Sequence, residues 1–159
     1  MVKFWDASAV IPLCLQEPQT ALLKRIAEED GAIVAWWATP VEVYSALARR
    51  RREGILSEAD EDQARQVLAQ LAEGWTEIVP SMKVRENAGR ALLLHHLRAA
   101  DSLQLAAALV WTGGHASRHQ FVCLDQRLRE AAHKEGFLVL PERGFSDAEI
   151  RAAREYGRP

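Results

Sequence analysis

Asp6, Ser8, Glu42, Asp101 and Asp125 are the side chains whose placement suggests chemistry. Asp6 ends the β-favouring run Val2-Lys3-Phe4-Trp5, and Asp125 directly follows the apolar run Phe121-Val122-Cys123-Leu124. In an open parallel sheet, ligands bind beyond the carboxyl ends of the strands, near the point where strand order reverses. Acids so placed can face one crevice. Asp101 stands at the head of the largely apolar stretch 102–111, and Glu42 lies early in the helix-forming segment that begins Thr39-Pro40-Val41. Taken singly, each acid is explained at least as well by helix capping. Asp is a preferred N-cap, and Thr39-x-x-Glu42 has the form of a capping box in which the carboxylate turns back to the Thr39 amide. Four acids at the heads of elements form a stronger pattern than any one of them.

The elements that must position these groups alternate. A strand over 2–5 leads into a helix over 7–16, closed by Glu17-Pro18. A helix over 19–30 stops at Gly31, and a strand over 32–37 follows. Thr39 as cap and Pro40 at the first position open a helix to about Glu53, and Ser57 opens another to about Glu73. A strand over 75–79 precedes a helix capped by Ser81 that runs to about His96, and Asp101 heads the next helix, ended by Gly113-Gly114. A strand over 121–124, a helix from Asp125 to about Glu135 and a strand over 137–140 complete the series. Strands alternating with helices predict an α/β fold whose mainly parallel sheet is covered on both faces. Residues 1–140 form one domain in this reading. Residues 141–159 form a C-terminal extension in which Ser146-Asp147-Ala148-Glu149 predicts a short helix.

The order and context of the four acids carry a family resemblance. Asp6-Ala7-Ser8 after a strand, Glu42 in Pro40-Val41-Glu42-Val43-Tyr44-Ser45-Ala46-Leu47, Asp101 in Ala100-Asp101-Ser102-Leu103-Gln104-Leu105 and Asp125 in Leu124-Asp125-Gln126-Arg127-Leu128 resemble the four acidic motifs of PIN-domain nucleases. More narrowly, the motif order and short length resemble the VapC toxins of type II toxin-antitoxin pairs. The first motif reads Asp-Ala-Ser where that family often has Asp-Thr-Ser, and Ser8 keeps the hydroxyl that supports the metal site in such proteins. The resemblance implies a three-layer PIN-like fold and an endoribonuclease that depends on Mg²⁺, with Mn²⁺ as substitute. It implies an RNA substrate, a cognate antitoxin that covers or neutralises the acidic pocket, a homodimer and a cytoplasmic location. Trp36, Trp37 and the tail are candidates for the antitoxin's apolar contact surface.

Charge chemistry agrees. Converging carboxylates repel one another and raise some of their own pKa values unless cations neutralise them, and oxygen-only donors suit Mg²⁺ or Mn²⁺. In this reading Asp6 and Asp101 are the principal ligands, Glu42 and Asp125 are further direct or water-mediated ligands, and Ser8 is a supporting hydrogen-bond group. The rival readings are a housekeeping RNA-processing or DNA nuclease with the same acids, and a PIN-like scaffold in which the acids serve without catalysis.

Composition sets the remaining bounds. The chain has 159 residues, 48% hydrophobic and 26% charged, with a net charge of -2, so no global basic field advertises nucleic acid. Cys14 and Cys123 lie in apolar stretches and do not make a disulfide framework. No stretch approaches the ~18 apolar residues of a membrane span. The basic run Arg49-Arg50-Arg51-Arg52 reads equally as a phosphate-contacting surface or as a solvated helix end. His115 and His119 lack a Cys or acidic partner for zinc, and His95-His96 suits a helix end. No Walker, dinucleotide-binding or His-Glu-x-x-His motif is present.

Overall fold

A computed structural model describes residues 1–29, 31–143 and 148. The strands are β1 (Lys3–Trp5), β2 (Ile33–Trp36), β3 (Thr76–Ile78), β4 (Gln120–Val122) and β5 (Leu138–Leu140). They form one sheet in the order β3-β2-β1-β4-β5, with every pairing parallel. Parallel neighbours need crossovers, and helices supply them. These are α1 (Ala7–Cys14) and α2 (Thr20–Glu28), α3 (Thr39–Arg52) and α4 (Glu58–Gly74), α5 (Met82–Leu94) and α6 (Ala99–Trp111), and α7 (Gln126–Lys134). A one-turn 3-10 helix, Ala116–Arg118, lies in the Gly113-Gly114 connection.

Successive side chains of a strand point to opposite faces, so each central strand serves two cores. Phe4, Val34 and Phe121 pack with Val84, Leu105 and Leu128 of α5, α6 and α7. Trp5, Ala35 and Val122 pack with Val10, Val43 and Leu68 of α1, α3 and α4. The result is the expected three-layer arrangement. Phe4 stacks on Phe121 at 5.2 Å between ring centroids, which ties β1 to β4 on the α5–α7 side. The tail helix predicted around Ser146-Asp147-Ala148-Glu149 falls almost wholly outside the described residues.

Several local expectations change. Thr39 is not a cap: α3 begins at Thr39, its N-cap is Ala38, and no side chain caps it. Thr39 is buried and its hydroxyl instead takes a bond from Gln104. Asp101 does not head α6 but stands in its first turn, behind the N-cap Arg98. The basic run is split: Arg50 is 2% exposed and its Nη2 lies 2.7 Å from Glu17 Oε1, so it pins α3 to the connection between α1 and α2 and is not a solvated group. Trp36 is 4% exposed and therefore unavailable to a partner, whereas Trp37 is 53% exposed. His95 caps α5 as expected, but its Nε2 also sits 2.7 Å from Glu135 Oε1 at the end of α7.

Arg129 closes the sheet behind the strand ends. It is 8% exposed, and its guanidinium donates to the carbonyls of Cys123 (2.7 Å), Leu140 (3.2 Å) and Pro141 (2.7 Å). The Leu140 carbonyl also accepts from the Cys123 amide at 3.0 Å. Hydrogen bonds from a charged group contribute about 1.5–3 kcal/mol each. Arg129→Met, which keeps length and apolar packing, is expected to lower stability by about 2–4 kcal/mol. Urea unfolding at pH 7 checks this; a midpoint within error of the parent would mean the clamp carries no net stabilisation.

Candidate functional site

The strand order reverses between β1 and β4, and their crossovers leave on opposite sides of the sheet, opening a crevice at the carboxyl ends. Asp6 and Asp125 are the residues that follow there. A cleft of about 510 Å³ is lined by Asp6, Ser8, Glu42, Asp101 and Asp125, with Arg98 among its other residues. The fold thus brings all five sequence-selected residues to one place.

Asp6 caps α1: its Oδ2 accepts from the Ser8 amide at 3.0 Å and from the Ser8 hydroxyl. The same hydroxyl oxygen accepts from the amides of Leu124 (2.9 Å) and Asp125 (3.2 Å). Ser8 therefore ties the start of α1 to the segment after β4. Asp125 caps α7 through Oδ1, which accepts from the Leu128 amide at 2.9 Å. Asp101 stands in the first turn of α6, three residues beyond its N-cap Arg98, whose backbone amide favours the ionised carboxylate. The Thr39–Glu42 box does not form. Glu42 Oε1 instead accepts from Gln104 Nε2 of α6 at 3.0 Å.

Burial and like charge shape the protonation of the group. Asp6 is 3% exposed, and desolvation pushes its carboxyl up to about 6, opposed by the Ser8 bonds and reinforced by Asp101 and Asp125. Burial raises Glu42 to about 8, with Asp6 adding to the rise and Gln104 opposing it. Asp101 is raised by burial and by Asp125, while the Arg98 amide and the Arg98 and Arg127 guanidiniums pull it back. Cys123 lies beneath Asp6, 3.5 Å from its Oδ2, with its thiol pushed well up by burial.

Among the described residues, no three Asp, Glu, His or Cys side chains stand close enough to hold one ion by themselves. The donor chemistry still fits a hard divalent cation. It is all oxygen, from four carboxyl groups of which burial and like charge raise Asp6, Glu42 and Asp101, so a cation would relieve their repulsion. Mg²⁺ is typically bound by one or two carboxylates and keeps several waters, a demand that this open arrangement meets without a closed protein cage.

Sequence reasoning did not single out Arg98, Arg129 or Gln104. Gln104 had a usable signal: it lies three residues after Asp101 on one helix, hence on the same face. The apolar character of 102–111 hid it.

No family model matches the chain. Two curated relatives, ribonuclease VapC45 and ribonuclease VapC49 from two strains of Mycobacterium tuberculosis, are each 30% identical over a 156-residue alignment that spans 87% of this chain and 94% of the relative. A toxin-antitoxin complex from Klebsiella pneumoniae contains a chain of similar fold, with TM-score 0.61 and 14% identity, covering 90% of this chain and 99% of that one. VapBC2 from Rickettsia felis bound to a promoter DNA fragment gives TM-score 0.60 at 10% identity, covering 87% and 97%. FitAcB from Neisseria gonorrhoeae gives 0.58 at 14%, covering 89% and 98%.

The raised acids predict a pH-dependent stability. An acid whose folded pKa exceeds its unfolded value keeps its proton longer when folded, so stability falls as pH rises through the interval. The intervals run from the ordinary 3.8 to about 6 for Asp6 and from 4.5 to about 8 for Glu42. With chelator present, Asp6→Asn and Glu42→Gln should each be more stable than the parent at pH 8, by on the order of 3 kcal/mol for Asp6→Asn and somewhat more for Glu42→Gln, and should converge on it by pH 4. Thermal unfolding across that range tests the sign; variants less stable at pH 8 would contradict it.

Proposed function

The chain belongs to the VapC ribonuclease family, and from that premise we propose that it is the toxin of a type II toxin-antitoxin pair, an endoribonuclease that hydrolyses RNA phosphodiester bonds with Mg²⁺, or Mn²⁺ in its place. The carrying observation is the shared cleft of Asp6, Glu42, Asp101 and Asp125 at the switch point of the sheet. Asp6 and Asp101 are the principal cation-holding groups in this proposal, Glu42 and Asp125 hold it directly or through water, and Ser8 fixes Asp6. When bound, the cation supplies Lewis-acid polarisation of the scissile phosphate and offsets the charge of substrate and site. Ser8 holds Asp6 and the 124–125 backbone in one orientation. Hydrolysis then adds water across the P–O bond, and the departing oxygen takes a proton.

An acidic floor alone repels RNA. Arg49 and Arg98 are exposed at the same cleft and Arg127 acts on Asp101, so positive charge rims the carboxylates. These arginines position the phosphates that flank the scissile bond, each contributing a salt-sensitive contact. A cognate antitoxin silences the toxin by covering this cleft. The proposal also includes a homodimer acting in the cytoplasm, which the family resemblance supports. No helix among the described residues is long and apolar enough to cross a membrane.

Incubation of the antitoxin-free chain with total RNA, with Mg²⁺, with Mn²⁺ or with chelator, followed by mapping of new ends, tests the reading. Cleavage should require the cation, and Asp6→Asn or Asp101→Asn should reduce it about 100-fold or more while the fold is kept. Undiminished cleavage in chelator or in either folded variant refutes the corresponding assignment. Arg98→Gln should weaken RNA binding and reduce the slope of log K against log salt by ~0.7, the value for one phosphate contact on a single strand. An unchanged slope places Arg98 outside the substrate path.

A further inference from the structure

Gln104 is polar in a place where its neighbours are not. It is 0% exposed on α6, in sequence between Leu103 and the buried residues Leu105, Ala106 and Ala107. Its Nε2 donates to Thr39 Oγ1 at 3.1 Å and to Glu42 Oε1 at 3.0 Å, spanning from α6 to the first turn of α3. Its Oε1 is buried without a hydrogen-bond partner among the described residues. A buried acceptor left in that condition costs about 1–3 kcal/mol, and an apolar side chain of similar size avoids the cost. The amide is therefore explained by what its NH₂ group does.

That group has two hydrogens and two targets, both on α3 and three residues apart. Thr39 is buried, so it anchors one hydrogen and fixes the amide plane. The other hydrogen is thereby aimed at Glu42. Glu42 has three rotatable side-chain bonds and, at this position near a helix start, a competing option: to turn back to the amide at Thr39. The bond from Gln104 holds it on the cleft side. We infer that Gln104 is the positioning residue for Glu42, setting its carboxylate for cation binding by a relay from buried Thr39 across the α3–α6 contact. This inference rests on the reading of Glu42 as a cation-holding group. Outer groups that orient metal-binding side chains typically alter affinity 10–100-fold when removed.

The test is Mn²⁺ binding to the full chain, measured by calorimetry and by the electron paramagnetic resonance of free Mn²⁺. Gln104→Met keeps length and removes both donors; it should weaken Mn²⁺ binding about 10-fold or more. Made in a Glu42→Gln background, the same substitution should cause no further weakening, because its effect passes through Glu42. Gln104→Asn retains an amide one methylene too short for the span and should reproduce the loss if Gln104→Met does not fold. Wild-type affinity in a folded Gln104 variant, with Glu42→Gln weakened, overturns the inference alone. Equal weakening by Gln104→Met with and without Glu42 also overturns it, since the effect then bypasses Glu42. Wild-type affinity in Glu42→Gln overturns the cation-holding reading of Glu42 and this inference with it.

Discussion

Asp6 is withdrawn from water and surrounded by acids, and the rest of the site is organised around that conflict. Moving its carboxyl from 3.8 to about 6 corresponds to on the order of 3 kcal/mol against the ionised form. Burial is the larger cause and the neighbouring carboxylates add to it. Two bonds from Ser8 return part of the loss, which keeps the carboxylate ordered without neutralising it. A site built this way attracts positive charge from any source. A divalent ion, the guanidinium of a partner, or protons at low pH all relieve the same repulsion.

Three ties made by groups outside the carboxylate set hold the acids in place. Ser8 joins the end of β1 to the segment after β4. Arg129 gathers the carbonyls behind that segment and behind β5. Gln104 links α6 to the start of α3. The Ser8 and Gln104 ties cross between sequence-distant elements and the Arg129 tie between α7 and the segments on either side of it, and together they span the regions that present Asp6, Asp125 and Glu42. The sheet sets where the acids start, and these polar contacts set where they end.

Much of this was legible from periodicity and punctuation. Runs such as Phe121-Val122-Cys123-Leu124 announce buried strands, and acids directly after two of them announce the crevice, because a parallel sheet opens at that edge. The α/β class and the grouping of Asp6, Glu42, Asp101 and Asp125 follow from local pattern and motif order. The three ties do not. Periodicity reports burial, not the partner a buried polar group will find, so Gln104 and Arg129 passed as ordinary helical positions and Arg50 as part of a surface run. Thr39 misled for a related reason: a good cap sequence is a local preference, and burial against α6 gave its hydroxyl a different partner.

Capping and function are not competing explanations for these acids. All hydrogen bonds to the Asp6 side chain among the described residues fall on Oδ2, and the bond to Asp125 falls on Oδ1, so each carboxylate commits one oxygen to its helix and presents the other. The committed oxygen fixes the side-chain torsions before any ligand arrives. A carboxylate already held in this way loses little rotamer freedom on binding a cation, which favours a site whose ligating oxygens are set by the scaffold. Glu42 is longer and, in place of a cap, depends on Gln104 for the same restraint. The helix starts around this sheet edge are therefore part of the site's preorganisation: the contacts that begin α1 and α7 also aim Asp6 and Asp125.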